Sequence, residues 1–393
     1  MRGKGEGSVF KDSRGLWNGV IELPPLNGVR RRKKIRRKNK TELVKAMNEA
    51  KTELARLGDL PTASQTVEQW FSYWLRQVAQ EVRPNTFDGY RRTVENHIVP
   101  AIGKVKLDKL NAAHIRRVHD GILAKGLSST TALLAHRTMS VSFKIAVREG
   151  RIGRNPAKLV NAPRKATVQL EPLDLQEAIQ FLAHVARDEE MGARWATTLL
   201  TAARRGEVLG LERDRVTDVL DLSWQLLRLP KTDVDGKPNV PADYEYRHLT
   251  GGLYLTRPKS SKSWRIIPLI DPLKTILEQH IARSPENQWG LVFTKNGRPI
   301  GPDVDTKDWR KTLLAAGITK NARLHDGRHT AVDLLYAAGV PEDLIQEIVG
   351  HSDRATTQGY KSLRNRERLT GAMVQFSALF TQPDPERTLE IEQ

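Results

Sequence analysis

Leu324-His325-Asp326-Gly327-Arg328-His329-Thr330 sets His325 and Arg328 one helical turn apart, and Val349-Gly350-His351 follows, with Tyr360 nine residues beyond its histidine. Upstream, Thr201-Ala202-Ala203-Arg204-Arg205-Gly206-Glu207-Val208-Leu209-Gly210-Leu211 pairs an arginine with a glutamate three residues on. Between these lies Pro258-Lys259-Ser260-Ser261-Lys262-Ser263-Trp264-Arg265-Ile266-Ile267-Pro268-Leu269, two strand-like segments joined by a serine-rich connection that reads as a hairpin. Each pattern alone has an ordinary structural meaning. An Arg–Glu pair at i,i+3 is usually a surface salt bridge of small worth. Lysines at a hairpin tip are usually solvated, and a tyrosine is usually half-buried packing.

Taken together, in this order and spacing, the patterns resemble the tyrosine recombinases, the family of lambda-type phage integrases and Xer-type resolvases. That family reads Arg-x-Gly-Glu/Asp, a hairpin lysine, His-x-x-Arg, Leu-Gly-His, and a tyrosine nine residues after that histidine. The resemblance implies catalytic roles for Arg204, Lys259, His325, Arg328, His351 and Tyr360, with Glu207 as a supporting residue that orients the Arg204 turn or a neighbouring side chain. Lys259 is chosen as the hairpin lysine because it precedes the turn and sits ten residues before Leu269; Lys262 is its alternate. There are three departures. Val349 stands where the family usually has leucine. Gly327 replaces an apolar residue between Asp and Arg, at a cost in helix stability but with no chemical role. Residues 233–251 are longer and more polar than in compact members and are expected to form a surface loop. Of seven tyrosines only Tyr360 has the spacing to His351. Tyr336, beside Leu334 and Leu335, reads as core, and Tyr244 and Tyr246 fall in the long loop.

The implied chemistry is DNA strand cleavage through a 3′-phosphotyrosine. A pentacoordinate phosphorus transition state gathers charge on its non-bridging oxygens. Two guanidinium forks, Arg204 and Arg328, suit those oxygens, and preorganised cations are the usual large catalytic contribution. The family assigns His325 and His351 to phosphate contact. An expelled 5′-alkoxide needs a proton, for which a lysine is suited. The phosphotyrosyl ester keeps the bond energy, so rejoining requires neither ATP nor a divalent metal. Consistent with this, there is no G-x-x-x-x-G-K-[ST] motif and no clear carboxylate cluster. His325 and His329 lie four apart but lack a third ligand. No cofactor and no metal site are expected.

The 393 residues carry 64 Lys+Arg against 46 Asp+Glu, a net +18, and no cysteine. The surplus calls for a polyanionic partner. The absence of cysteine excludes disulfides, thiolate metal sites and a thiol nucleophile. No apolar run is long enough for a bilayer, and the charged, glycine-rich start is not expected to be a secretory signal. Residues 1–60 hold 16 Lys/Arg and 7 Asp/Glu, half the excess charge. They read as three strands (Gly7–Lys11, Leu16–Leu23 and the basic run), with a turn at Pro24–Gly28, then a helix at Thr41–Leu57. Alternation along the third strand puts Arg30, Arg32, Lys34, Arg36 and Lys38 on one face, suited to a DNA groove. Residues 65–160 read as helices only, two of them at Asn111–Lys125 and Ser129–Glu149. Beyond 170, helices dominate, with strand-like stretches at Val219–Leu229, Gly252–Lys259 and Trp264–Leu269.

The expected fold is multidomain, mainly α with small β-sheets. It comprises a three-stranded sheet plus helix (1–60), a helical domain (65–160) and an α+β domain of the tyrosine recombinase type (170–393). The resemblance implies arm-site DNA binding by the first, core-site binding by the second and catalysis by the third. It also implies a homo-tetramer on double-stranded DNA, a host DNA-bending protein and an excision factor as partners, no membrane, and a cytoplasmic, nucleoid-associated place of action. The apolar residues of 365–380 suit either an ordinary docked helix or packing on a neighbouring protomer, the latter preferred. A Xer-like resolvase and a non-catalytic DNA-binding regulator are the alternatives.

Overall fold

The computed structural model describes residues 8–26, 29–57, 65–167, 171–230, 238, 240–258, 264–350 and 363–380. The chain divides into two compact units, one built mainly from residues 1–167 and the other from 168 onward. No helix among the described residues is long and apolar enough to cross a membrane.

The first unit opens with an antiparallel sheet in the order β1 (Ser8–Lys11), β2 (Trp17–Leu26), β3 (Val29–Arg37), followed by α1 (Lys40–Leu57). Alternation decides its two faces. Ile21 and Leu23 turn inward against Leu43, Met47 and Ala50 of α1, with Val9, Trp17 and Ile35 at the margin. Gly19 lies under Met47, where any Cβ would collide with the thioether. Arg30, Arg32, Lys34 and Arg36 are exposed on the opposite face. Lys38 does not join them: the strand ends at Arg37, and Lys38 sits in the bend that starts α1. The Pro24–Gly28 turn also begins later than its prolines suggest. The ladder breaks register after Leu23 and resumes at Leu26 opposite Val29.

A separate core in the same unit belongs to α2 (Val67–Val78), α3 (Pro84–Thr93), α4 (Val99–Ile102), α5 (Ala112–Ala124) and α6 (Ser129–Arg148). Trp70, Phe71, Trp74, Ile115, Met139 and Phe143 fill it. Capping boxes start α2 at Thr66 and α5 at Asn111. A π turn at Val94–Ile98 joins α3 to α4, next to Pro100, which has no N–H to donate.

The second unit surrounds a buried helix. Its order is α7 (Leu175–Val185), α8 (Gly192–Thr201), α9 (Arg205–Leu209), β4 (Val219–Asp221), β5 (Gln225–Arg228), β6 (Tyr246–Thr250), β7 (Leu253–Thr256), β8 (Ile266–Pro268), α10 (Leu273–Arg283), β9 (Thr294–Lys295), β10 (Arg298–Pro299), α11 (Pro302–Ala315), α12 (Leu324–Ala337), α13 (Glu342–Val349) and α14 (Leu363–Ala378). Every residue of α8 is buried, as suits a helix packed on all sides. Its one charge, Arg194, forms a bidentate pair with buried Asp305 at 2.7 Å through both oxygens.

The strands depart from their expected pairing. Val219–Leu229 is not one strand: β4 pairs with β8, while β5 belongs to a sheet ordered β5-β7-β6. β7 and β8 therefore sit in different sheets and are not hydrogen-bonded partners, contrary to the hairpin reading. The long polar segment is not all loop, because β6 pairs antiparallel with β7 and carries Tyr246. Tyr336 is 52% exposed and not core: Ala331, Leu334 and Leu335 take the buried side of α12. The carboxy-terminal helix docks on its own unit. Leu369, Met373 and Phe376 of α14 join the main core, and Arg368 bridges Asp343 at 2.8 Å.

Candidate active site

Arg204 is delivered by the turn that follows α8. Ala202 there takes a left-handed conformation (φ 52°) although it is not glycine, a strain of about 1–2 kcal/mol held in place by complete burial. The strain turns the chain sharply into α9. That helix lies against β5 because Gly206 and Gly210 present no side chain: a Cβ would sit 2.9 Å from the Leu226 carbonyl oxygen at the first and 2.6 Å from the Leu226 nitrogen at the second. The glycine of Arg-x-Gly-Glu is thus a packing requirement.

Glu207, 2% exposed, is the hub of the site. Its carboxylate accepts the Arg204 backbone N–H at 2.7 Å and Arg204 Nη1 at 2.8 Å. It also accepts Arg265 Nη2 at 2.6 Å and Nη1 at 3.2 Å. Arg265, 3% exposed, enters on the segment leading into β8. The Trp264-Arg265-Ile266-Ile267-Pro268 stretch does not announce this role: its only signal is a lone arginine directly before an apolar strand.

Three guanidiniums converge on the end of α13. Arg204 Nη2 donates to the Gly350 carbonyl at 2.8 Å, Arg265 Nη1 to that of Val349 at 3.0 Å, and Arg328 Nη2 also to Val349 at 2.6 Å. Arg328 Nη1 donates in turn to the carbonyl of strained Ala202. Carbonyls at a helix carboxyl end lack intrahelical donors and carry partial negative charge, so they suit cations. Gly350 makes the arrangement possible. Its φ is +68°, and a Cβ there would lie 2.9 Å from Arg265 Nη1 and 3.7 Å from Arg204 Nη1. Gly350→Ala is expected to lower the melting temperature by roughly 3–8 °C, from the left-handed strain and displaced guanidinium. A calorimetric scan with no shift would contradict this account.

Arg328 is 5% exposed, and its pKa is pulled down to about 9 by burial and by the Arg265 and Arg204 guanidiniums, with Glu207 opposing. It still holds its proton at neutral pH. Arg204 is the more open fork, with a 36% exposed side chain. His325 lies one turn before Arg328 on the exposed side of α12, its ring perpendicular to that of His329 at 5.2 Å. Its pKa sits below the ordinary histidine value, first through partial desolvation, then because His329 and Arg328 disfavour another charge. Asp326 faces inward and caps α12. Burial pushes its carboxyl up, but hydrogen bonds from the Arg323 backbone and guanidinium outweigh that and hold it below its usual range. Gly327 is explained by Trp309, whose ring would lie 3.3 Å from a Cβ there.

Among the candidates, then, Arg204 and Arg328 meet at the Val349 and Gly350 carbonyls, Glu207 holds Arg204, and His325 shares the helix of Arg328. Lys259, its alternate Lys262, His351 and Tyr360 lie outside the described residues. Arg30, Arg32, Lys34 and Arg36 belong to the other unit. Among the described residues no group of three or more His, Asp or Glu side chains is placed to hold a metal ion.

Residues 173–367 match the model of the phage integrase family, and residues 66–123 match that of the phage integrase N-terminal SAM-like domain. An integrase of Saccharopolyspora erythraea is 27% identical, over 91% of this chain and 92% of that protein. A XerC-like tyrosine recombinase of Caldanaerobacter subterraneus is 26% identical, over 78% of this chain and 81% of its own length. Among solved structures, the Tn1549 transposon integrase in complex with a circular intermediate DNA superposes with a TM-score of 0.61 at 21% identity, covering 84% of this chain and 99% of that one. A lambda integrase tetramer bound to a Holliday junction gives 0.54 at 15% identity, covering 89% and 98%.

Proposed function

Because the chain belongs to the phage integrase family of tyrosine recombinases, we propose that it is a site-specific recombinase that integrates or excises a phage or other mobile element by cutting and rejoining duplex DNA. The observation that carries this reading is the convergence of Arg204 and Arg328 on the consecutive carbonyls of Gly350 and Val349, directly ahead of His351. Two arginines fixed on one short backbone segment form a cradle for one phosphate.

In the proposed reaction Arg204 and Arg328 bind the non-bridging oxygens, and His325 and His351 add hydrogen bonds. The Tyr360 hydroxyl loses its proton and its oxygen bonds to phosphorus, with His325 assisting the proton transfer. The P–O5′ bond breaks, and Lys259, or Lys262 in its place, protonates the departing 5′-oxygen. A 5′-hydroxyl from a second strand reverses these steps and releases the tyrosine. Glu207 does not exchange protons; it holds Arg204. No step uses ATP or a metal.

Under this reading residues 1–60 bind arm sites, residues 65–160 bind core sites and residues 170–393 catalyse, as a tetramer on DNA. A tetramer would draw on surfaces other than the buried face of α14. A host DNA-bending protein and an excision factor are its expected partners, on the nucleoid of a bacterial host. The amino-terminal sheet favours an integrase over a compact resolvase. Deleting residues 1–60 is expected to spare core-site cleavage and to lower integration between paired attachment sites by at least an order of magnitude, through lost avidity. Unchanged integration would refute the arm-site role.

The primary test is covalent trapping. The wild-type protein is incubated with nicked duplexes covering the DNA that flanks its gene, in EDTA and without ATP. An SDS-stable protein–DNA adduct is expected. Binding without any adduct, even after host extract is added, would favour the regulator instead.

A further inference from the structure

On the open face of the amino-terminal sheet, Phe10, Asn18 and Arg36 stand side by side across β1, β2 and β3. Asn18 is 4% exposed, although it lies on the solvent face. Its Nδ2 donates to Asp12 Oδ2 at 2.9 Å and to the Leu16 carbonyl at 3.0 Å. With both acceptors on the nitrogen side, the amide has one possible orientation, and Oδ1 faces Arg36. Arg36 Nε donates to that oxygen at 2.9 Å. Asp12 is pinned as well: its Oδ1 accepts the backbone N–H groups of Arg14 and Leu16 at 3.0 and 2.9 Å, closing the β1–β2 turn. Its carboxyl is held below the usual range, chiefly by the Asn18 bond.

The other cations of this face are held differently. Arg30 and Arg32 share Glu22, which is itself half-exposed. Lys34 is exposed and has no carboxylate partner among the described residues. Of the four, Arg36 alone is seated on a buried, fully bonded neutral group. Its side chain stays 58% exposed, and the Asp12 carboxylate 3.8 Å away offsets part of its charge. Such a guanidinium is weakened as a point charge for phosphate but fixed as a fork of N–H donors. A β-ribbon fits the major groove, where a guanine presents O6 and N7 to an arginine fork. Exposed Phe10 beside it offers an apolar surface.

Resting on the arm-site reading above, we infer that Arg36 is the specificity-determining residue of this sheet. It reads one guanine in the major groove, Asn18 and Asp12 are its positioning residues, and Lys34 holds phosphate.

The test is selection of binding sites by the full-length protein from a randomised duplex library, with thermal melts to confirm that each variant folds. The motif that disappears when Arg30, Arg32, Lys34 and Arg36 are all replaced by alanine is the arm motif. Arg36→Lys should flatten one guanine column of that motif, with about 10- to 100-fold lost discrimination at that base pair. Asn18→Ala should weaken the same column while binding to non-specific duplex stays unchanged. Lys34→Ala should weaken all sequences alike. A motif that Arg36→Lys leaves intact overturns the inference and leaves the arm-site reading standing. A four-alanine variant that selects the wild-type motifs overturns both.

Discussion

Tyr360→Phe is expected to abolish covalent adduct formation, to more than ~10³-fold below wild type, while gel-shift affinity for the same duplex changes little. The substitution removes one oxygen and nothing else of consequence. Of the seven tyrosines only Tyr360 has the nine-residue spacing from His351. Tyr73 and Tyr90 pack against the helical core of the first unit. Tyr244 contacts Tyr246, Tyr246 meets Tyr254 edge-on, and Tyr254 lies against His248. Tyr336 stands exposed on α12, in a helix whose buried face is already occupied. Affinity should persist because it comes from phosphate contacts by Lys and Arg, which this change leaves in place. The same variant run at 50 and 200 mM salt, a span of about fourfold, should lose binding in parallel with wild type. A Tyr360→Phe protein that still forms the adduct would place the nucleophile elsewhere and dismantle the assignment taken from the His351 spacing.

What the sequence disclosed of the site was its list of charged groups, because chemistry restricts residue type at those positions. What it withheld was their support. Arg265 looked like an ordinary strand-edge cation; only the folded chain shows it buried against Glu207. Gly206, Gly210 and Gly350 read as motif letters, and their reasons are a neighbouring strand, a left-handed turn and two guanidiniums. Helices were legible from caps and periodicity: α5 and α6 fall within a residue of their expected ends. The β-strands of the second unit were not, since strand pairing joins residues far apart. Val219–Leu229 looks continuous by composition, yet Leu222–Trp224 carry the chain from one sheet to the other. Likewise Tyr336 sits among leucines, and only the packing of α12 decides that it faces out.

Replacing Glu207 should produce the second largest effect, and a designed pair of variants separates its two roles. Glu207→Ala leaves Arg265 buried without its carboxylate and Arg204 without its anchor. Breaking a buried ion pair from one side costs about 3–5 kcal/mol, which is a large share of a domain's stability. The wild-type charges make the loss sharper, because Arg204, Arg265 and Arg328 would then crowd two carbonyls without the carboxylate that binds two of them. Urea denaturation should show the drop, and cleavage should fall at temperatures where the variant remains folded. Glu207→Leu combined with Arg265→Met replaces the buried pair by apolar groups of similar length. Such replacements are often neutral or stabilising, so much of the lost stability should return. Cleavage should not return, because Arg204 has still lost both of its bonds to the carboxylate, at 2.7 and 2.8 Å. Recovery of stability without cleavage would establish Glu207 as the group that aims Arg204 at the phosphate. Recovery of both would reduce it to an element of packing, and the aim of Arg204 would then rest on the Gly350 carbonyl alone.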